Sequence, residues 1–256
     1  MTKRNTQQRR HGILNLLNEQ GEVSVDELSL LFETSVVTIR KDLTALEKNG
    51  LLFRRYGGAV AVPQDITQGS YKLLSANKLS IAATAAKLID DHNRIIIDSG
   101  STTIGIISHL NDKRGLVVMT NSLLLANAIH DLEFEPTLLM TGGTWDPHSE
   151  SFQGRIAEQV LRSYNFDQLF IGADGLDLAR GTTTFNELTG LSKVMAEVSR
   201  EVVVMLESHK LGRRIPNLEL PWSTVNKLVT DDRLPLEAAA AIRQQGVEVI
   251  LAPYQE

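Results

Sequence analysis

The stretch SVVTIRKDLTALEKNGLLFRRYGG, Ser35 to Gly58, decides how the first part of this chain folds. Ser35 is a helix N-cap candidate, and Ile39, Leu43 and Leu46 recur at i, i+4 and i+7 as one apolar face. Asn49-Gly50 ends that helix, and LLFRRYGGAVAV is β-prone, with a glycine pair where a hairpin can turn. With the apolar face inward, Val36, Val37, Thr38, Arg40, Lys41 and Thr44 are left to the outer face and the N-terminal end. Arg54, Arg55 and Tyr56 fall on the hairpin.

Upstream, Ile13, Leu14, Leu16 and Leu17 form a helical stripe within residues 6–20, and Gly21 supplies a stop. SVDE then reads as a capping box, Ser24 bonding forward and Glu27 reaching back, and opens a short helix through Leu28, Leu31 and Phe32. Three short helices and a hairpin predict a winged helix-turn-helix over residues 1–60. Its third helix would enter the major groove by its N-terminal end. Ser35, Val37, Thr38, Arg40, Lys41 and Thr44 are the expected contacts there, with Arg54, Arg55 and Tyr56 gripping backbone from the wing. Arg9 and Arg10, read as preceding the first helix, would do the same. The competing reading is a small helical bundle with solvated charges. Val36 and Val37 either meet thymine methyls or pack on the second helix.

The chain has 256 residues, 42% hydrophobic and 22% charged, room enough for two domains. Residues 1–60 carry nine Lys/Arg against seven Asp/Glu, or +2, and the rest carry seventeen against twenty-four, or −7. Two regions with different partners are expected. With no cysteine, no apolar run long enough to span a bilayer and a basic, polar start, the expected setting is the cytoplasm, away from membranes.

Residues 61–76 hold Pro and Gly with little periodicity and suit a linker, leaving 77–256 as a second domain. Ala76 to Ile89 is a helical stripe; then RIIID, LVVMT, TLLMT, QLFIG, EVVVML, KLVTD and VEVIL follow, mostly separated by helical patterns. That alternation predicts βαβ units and a largely parallel, doubly covered, Rossmann-like sheet. Ligands gather at the carboxyl ends of such strands. Here those ends run into polar loops: DSGSTT (Asp98, Ser99, Gly100, Ser101, Thr102, Thr103), TNS with Asn121 and Ser122, and TGG with Gly142 and Gly143. GADGLD, holding Asp174 and Asp177, leads on to TTFNE with Asn186 and Glu187, and the last loop is ESHKLGR. Small-residue loops at helix starts make anion sites, and five together describe one polyol- or phosphate-sized pocket.

No zinc spacing links the six histidines, and no nucleophile elbow, Walker loop or dinucleotide fingerprint appears, so no catalytic residue, metal or cofactor is expected.

EQGEVSVDELSLLFETSVVTIRKDLTALEKNGLLFRRYGGA, Glu19 to Ala59, resembles the N-terminal signature of the DeoR family of bacterial sugar-metabolism repressors, nearest the branch for hexitol and amino-sugar use. The resemblance covers about residues 7–252. It implies a repressor that releases double-stranded operator DNA when a phosphorylated sugar or sugar alcohol binds a C-terminal sensor sharing the ribose-5-phosphate isomerase fold. It places phosphate at Ser99 to Thr103, lines the pocket with Asn121, Gly142 and Gly143, and addresses sugar hydroxyls with Asp174, Asp177, Asn186 and Glu187, Lys193 nearby. Lys210 and Arg213 match the Lys and final Arg of the family's DSSKFGR. Two departures stand out: Glu207 and His209 replace Asp and Ser of that motif, and Asp146 stands in GGTWDPHSES where a basic residue is common. Trp145, Asp146 and His148 either remake an effector contact or form an ordinary turn. A helix-turn-helix works in pairs on symmetric sites, so a homodimer or homotetramer is expected. The alternative is an enzyme, a sugar-phosphate isomerase carrying a DNA-binding domain, since Asp174 and Asp177 resemble the isomerases' DGxD motif and Glu187 and Lys193 would have to serve as base and electrophile. A protein-interaction scaffold, the third reading, leaves both loops and wing unexplained.

Overall fold

A computed structural model describes residues 3–48, 51–55, 57–61, 74–147, 149–186, 189–213 and 215–255. The chain falls into two compact units, Met1–Lys72 and Leu73–Glu256.

In the first unit the helices are α1 (Lys3–Gln20), α2 (Val25–Leu31) and α3 (Val36–Lys48). The strands are β1 (Glu22–Ser24), β2 (Leu52–Arg55) and β3 (Gly58–Ala61). The capping box forms: Glu27 N–H donates to Ser24 Oγ at 3.1 Å and Ser24 N–H to Glu27 Oε2 at 3.2 Å. Ile39, Leu43 and Leu46 pack inward with Ile13, Leu17, Val25, Leu28 and Leu52. The hairpin carries a third strand absent from the sequence reading, since β1 pairs with β3 to give the antiparallel order β1-β3-β2. Gly58 lets β1 approach: a Cβ there would sit 2.2 Å from the Val23 carbonyl oxygen. Asn49, Gly50 and Tyr56, read as helix stop and wing tip, lie outside the described residues.

The second unit is built on seven strands. They are β4 (Arg94–Ile97), β5 (Val117–Thr120), β6 (Thr137–Met140), β9 (Phe166–Ile171), β12 (Ser199–Met205), β14 (Lys227–Asp231) and β15 (Glu248–Ala252). All are parallel, in the order β15-β14-β12-β9-β4-β5-β6. The period-2 alternation of each strand feeds two cores. Ile95, Ile97, Phe170, Val203 and Val229 face α4 (Ala76–Ala86), the 3₁₀ segment Thr103–His109 and α5 (Leu123–His130). Ile96, Leu169, Ile171, Val202, Val204 and Leu228 face α6 (Arg155–Arg162), α7 (Gly190–Glu197) and α8 (Leu236–Gln244). Covering both faces is what a parallel sheet of Val and Ile runs demands.

Short strands stand outside this sheet: the hairpin β7 (Thr144–Asp146)/β8 (Ser151–Gln153), and an antiparallel set of β10 (Gly175–Asp177), β11 (Gly181–Thr184) and β13 (Asn217–Pro221). The helical stretch expected after DSGSTT is a seven-residue 3₁₀ segment, Thr103–His109.

One ion-pair fork reads differently from its sequence. Arg9 and Arg10 lie inside α1, not before it. Their Nε atoms donate to the two carboxylate oxygens of Asp42 on α3, at 2.6 and 2.8 Å, and Asp42 is buried. The fork ties α1 to α3. Removing the carboxylate leaves two guanidinium groups without their counter-charge, and Asp42→Ala should cost about 3 kcal/mol. Urea unfolding of the full chain, with hydrogen exchange on α1 and α3 amides, measures this. Unchanged exchange in both helices would show the fork to be dispensable.

Candidate functional sites

In the first unit the polar face begins at the start of α3. Thr38 N–H donates to Ser35 Oγ at 3.2 Å, and the two hydroxyls lie 2.9 Å apart, so Ser35 caps the helix and fixes Thr38. Val37 is 60% exposed, which leaves it available to a partner, whereas Val36 packs against the core. Arg40 and Lys41 are exposed, and the described residues give neither an ion pair. Thr44 donates to the Arg40 carbonyl at 2.8 Å and accepts from Arg54 Nη1 at 3.0 Å, joining α3 to the wing. Glu47 receives the Arg54 amide, and Arg55 pairs with Glu22 at 2.6 Å. Among the described residues Arg40 and Lys41 thus have no acidic partner, while Arg9, Arg10 and Arg55 do.

In the second unit the parallel order brings the expected loops to one edge of the sheet. Strand order reverses between β4 and β9, and the Asp98 amide donates to Phe170 O across that switch point. Asn121 Nδ2 donates to Asp98 Oδ1 at 2.8 Å, and Asn121 Oδ1 accepts the Ser99 amide at 2.9 Å. The Asn121 carbonyl holds Phe152 N–H of β8, which seats the β7–β8 hairpin on the TNS loop. Gly143, at φ +111, is where a Cβ would meet Gln153 O at 2.5 Å. Ser122 caps α5. Thr102 and Thr103 are buried; Thr103 Oγ1 donates to the Asp98 and Gly100 carbonyls, and Ser101 Oγ accepts from Lys78 Nζ.

Around the turn after β9, Lys210 Nζ donates to Ala173 O at 2.9 Å and Arg213 Nη1 to Asp174 O at 3.4 Å. Asp174 Oδ2 accepts from Thr184 Oγ1 and the Phe185 amide. Asn186 lies close by, its carbonyl accepting from Asn217. Lys193 stands on the exposed side of α7, and Glu187 lies outside the described residues. Asp177 is placed elsewhere: its carboxylate takes Arg180 Nε at 2.7 Å and the Ala179 and Arg180 amides, closing the β10–β11 turn. Asp146 also serves its own hairpin, accepting from Ser149 N–H and Oγ, which favours the ordinary turn for that segment; His148 lies outside the described residues. Glu207 accepts from Asn77 Nδ2, as does Asp231, so these two acids join α4 to the ends of β12 and β14.

Glu219, on β13, is the residue that sequence reasoning missed. It is buried, and its Oε1 accepts from Ser192 Oγ at 2.9 Å. Nothing in NLELP signals this, because alternation would put the Glu on the solvent side of a strand. Burial, reinforced by Asp98 and Asp174, pushes its carboxyl up to about 8, against the pull of Ser192 and Lys210. Burial likewise lifts Asp98 to about 6, although Asn121 and Ser99 oppose it. Among the described residues the assembled edge offers hydroxyls, amides, carboxyls and the buried ammonium of Lys210.

These shifts set a pH dependence. Both acids hold a proton more tightly folded than unfolded, so the folded chain binds more protons and stability falls as pH rises. The fall runs from 3.8 to about 6 for Asp98 and from 4.5 to about 8 for Glu219. Between pH 6 and 8 only the Glu219 part is left, so Glu219→Gln should flatten that limb of the urea midpoint. An equal fall in both proteins would assign the titration to another group.

Comparison with known proteins agrees with both units. The DeoR-like helix-turn-helix domain matches residues 9–65, and the DeoR C-terminal sensor domain matches residues 74–232. A protein assigned as an aga operon transcriptional repressor in Escherichia coli O157:H7 is 38% identical, over 96% of this chain and 94% of its own. The transcriptional repressor AccR of Agrobacterium fabrum is 30% identical, over 90% of this chain and 92% of its own. Among solved structures, ribose-5-phosphate isomerase A from Methanocaldococcus jannaschii is similar over 52% of this chain and 53% of its own, with 20% identity and a TM-score of 0.38. Two domain matches in the right order and relatives similar along nearly the whole length lead to one conclusion: this chain belongs to the DeoR family of helix-turn-helix transcriptional regulators.

Proposed function

We propose that this regulator represses a carbohydrate-catabolic operon, and that a phosphorylated sugar or sugar alcohol bound in the second unit releases it from its operator. The observation that carries the DNA half is the exposed pair Arg40 and Lys41, without an ion pair among the described residues, beside exposed Val37 at the start of α3. Groove entry by a helix N-terminus needs cations that no intramolecular acid has claimed. Arg54 and Arg55 serve the backbone from the wing; Arg9 and Arg10 act chiefly by orienting α3 through Asp42. Repression by a symmetric assembly, a homodimer or homotetramer, fits this unit, and the setting is cytoplasmic; among the described residues no helix is long and apolar enough to cross a membrane.

The effector half rests on the loops gathered at the β4/β9 switch point. Ser99 to Thr103, Asn121, Gly142, Gly143, Asp174, Asn186, Lys210 and Arg213 are its proposed lining. An isomerase reading needs Asp174 and Asp177 to work as a pair in proton transfer. The commitment of Asp177 to Arg180 and to its own turn argues against it, and relatives bearing regulator names point to a non-enzyme. A sensor needs only a differential affinity between two states, about 1–3 kcal/mol, felt reciprocally by DNA and effector.

Arg40→Ala should weaken operator binding by about 1–3 kcal/mol and relax sequence preference, whereas Arg54→Ala should weaken all sequences alike and lower the salt slope by about one. Fluorescence anisotropy against specific and scrambled duplexes at several salt concentrations separates the two effects. Wild-type affinity in both variants would reject the assigned face. For the second half, hexose and hexitol phosphates should release wild-type protein from its operator. Ser101→Glu, setting a carboxylate into the DSGSTT loop, should bind DNA normally yet resist release. Release at wild-type effector concentrations would remove that loop from the phosphate site.

A further inference from the structure

We propose that two copies of this chain join through the outer edge of β6, pairing antiparallel about a two-fold axis at Leu139 and making one continuous sheet of both. This deepens the symmetric assembly proposed above and rests on it, independently of any effector. β6 ends the seven-strand order, with β5 on its inner side. Thr137 N–H donates to Leu116 O and Thr141 N–H to Thr120 O, so the odd-numbered residues turn their backbone groups toward β5. Successive residues of a strand alternate, and Leu138 and Met140 therefore aim N–H and C=O away from the sheet. Among the described residues no strand lies on that side, and no hydrogen bond reaches these groups.

Sheet edges that stay alone are blunted by charge, proline or a covering side chain. The opposite edge of this sheet shows all three. β15 starts on Glu248 and runs into Pro253, and Arg243 Nη2 donates at 3.3 Å to Val249 O, a carbonyl on its outer side. Thr137 to Thr141 hold no charge and no proline. Leu138, Leu139 and Met140 are half-buried, and the loop leading into the strand presents Phe134, 53% exposed. This edge therefore offers apolar side chains as well as open backbone.

The flanking residues fix the register. Pro136 has no N–H, and Gly142 leaves the extended region at φ +59, so the open ladder is limited to Leu138 and Met140. One antiparallel arrangement uses both residues. Leu138 lies opposite Met140 of the second copy and exchanges two bonds with it, and Met140 does the same with Leu138 of the second copy. Leu139 then faces its own counterpart across the axis as a non-hydrogen-bonded pair. The occupant is a second copy because the open groups are symmetric about Leu139. Pairing of β6 with β15 of another copy would meet the carbonyl held by Arg243, and it would extend without closing. Pairing of β6 with β6 closes at two.

The test uses the full chain, which has no cysteine, so single introduced cysteines report contacts without background. Leu139→Cys should give an interchain disulfide on mild oxidation, because facing positions of such a pair bring their Cβ atoms within reach. Leu251→Cys, at an outward position of β15, should give none at the same protein concentration. Met140→Pro removes an outward N–H and leaves the ladder to β5 whole, as proline on an edge strand does. In sedimentation velocity it should raise the concentration at which the assembly halves by about tenfold or more. Met140→Lys, which adds an edge charge, should act in the same direction, and circular dichroism reports that each variant is folded. Absence of the Leu139→Cys disulfide overturns the proposal, as does an equal disulfide at Leu251→Cys. Wild-type assembly in both folded Met140 variants would overturn it too, and would leave a symmetric assembly through another surface. A wild-type chain that sediments as a monomer at every concentration would overturn this proposal and the symmetric assembly together.

Discussion

Parallel pairing of seven strands is the constraint from which the rest of the second unit follows. Every strand in such a sheet must return to the same end before starting again, so every carboxyl end opens on one edge and every connection has to cross a face. Both faces are then covered, and the strands become the near-continuous Val and Ile runs seen here. The polar groups that cannot enter those cores are collected where the strands end. Asp98, Asn121, Asp174 and Lys210 come from four separate loops and meet because their strands run the same way.

Collecting polar groups in a dry interior raises the question of how each one is satisfied. Asp98 and Asn121 answer it reciprocally, the side-chain amide donating to the carboxyl and accepting the next backbone amide. Asp174 is held by a hydroxyl and an amide from the β11 end. Glu219 is satisfied on one oxygen only, as Asn77 and Gln168 are at one end of their amides, and it is lifted in pKa by burial and by its acidic neighbours.

The first unit, among its described residues, keeps two exposed cations out of ion pairs. Of its arginines, Arg9, Arg10 and Arg55 have acidic partners, and Arg54 is anchored to Thr44 and Glu47. Each of these contacts ties one element to another, α1 to α3, wing to helix or β2 to β1. The frame so made presents Arg40 and Lys41 outward, exposed and without an ion pair among the described residues.

Much of this was legible in the residues alone, wherever the cause was local or periodic. The capping box at Ser24 and Glu27, the inward face of Ile39, Leu43 and Leu46, and all seven parallel strands follow from spacing, because burial selects apolar residues at 3.6 or 2 and caps act within one turn. The polar loops could be found for the same reason, since each directly follows a strand. What pairs with what could not. The same charge reads alike whether it faces DNA or an acid 32 or 33 positions away, and only the packing of α1 on α3 turned Arg9 and Arg10 toward Asp42. Asp177 reads from its neighbours as part of a ligand-binding motif, and only the β10–β11 turn shows the Arg180 guanidinium and two backbone amides that its carboxylate takes. Glu219, in a short strand with no distinctive neighbours, became a buried carboxyl because β13 pairs with β11 beside α7. Local spacing determines elements and the loops that end them; which side chains meet depends on contacts between residues far apart in the chain, and those exist only once the tertiary structure has formed.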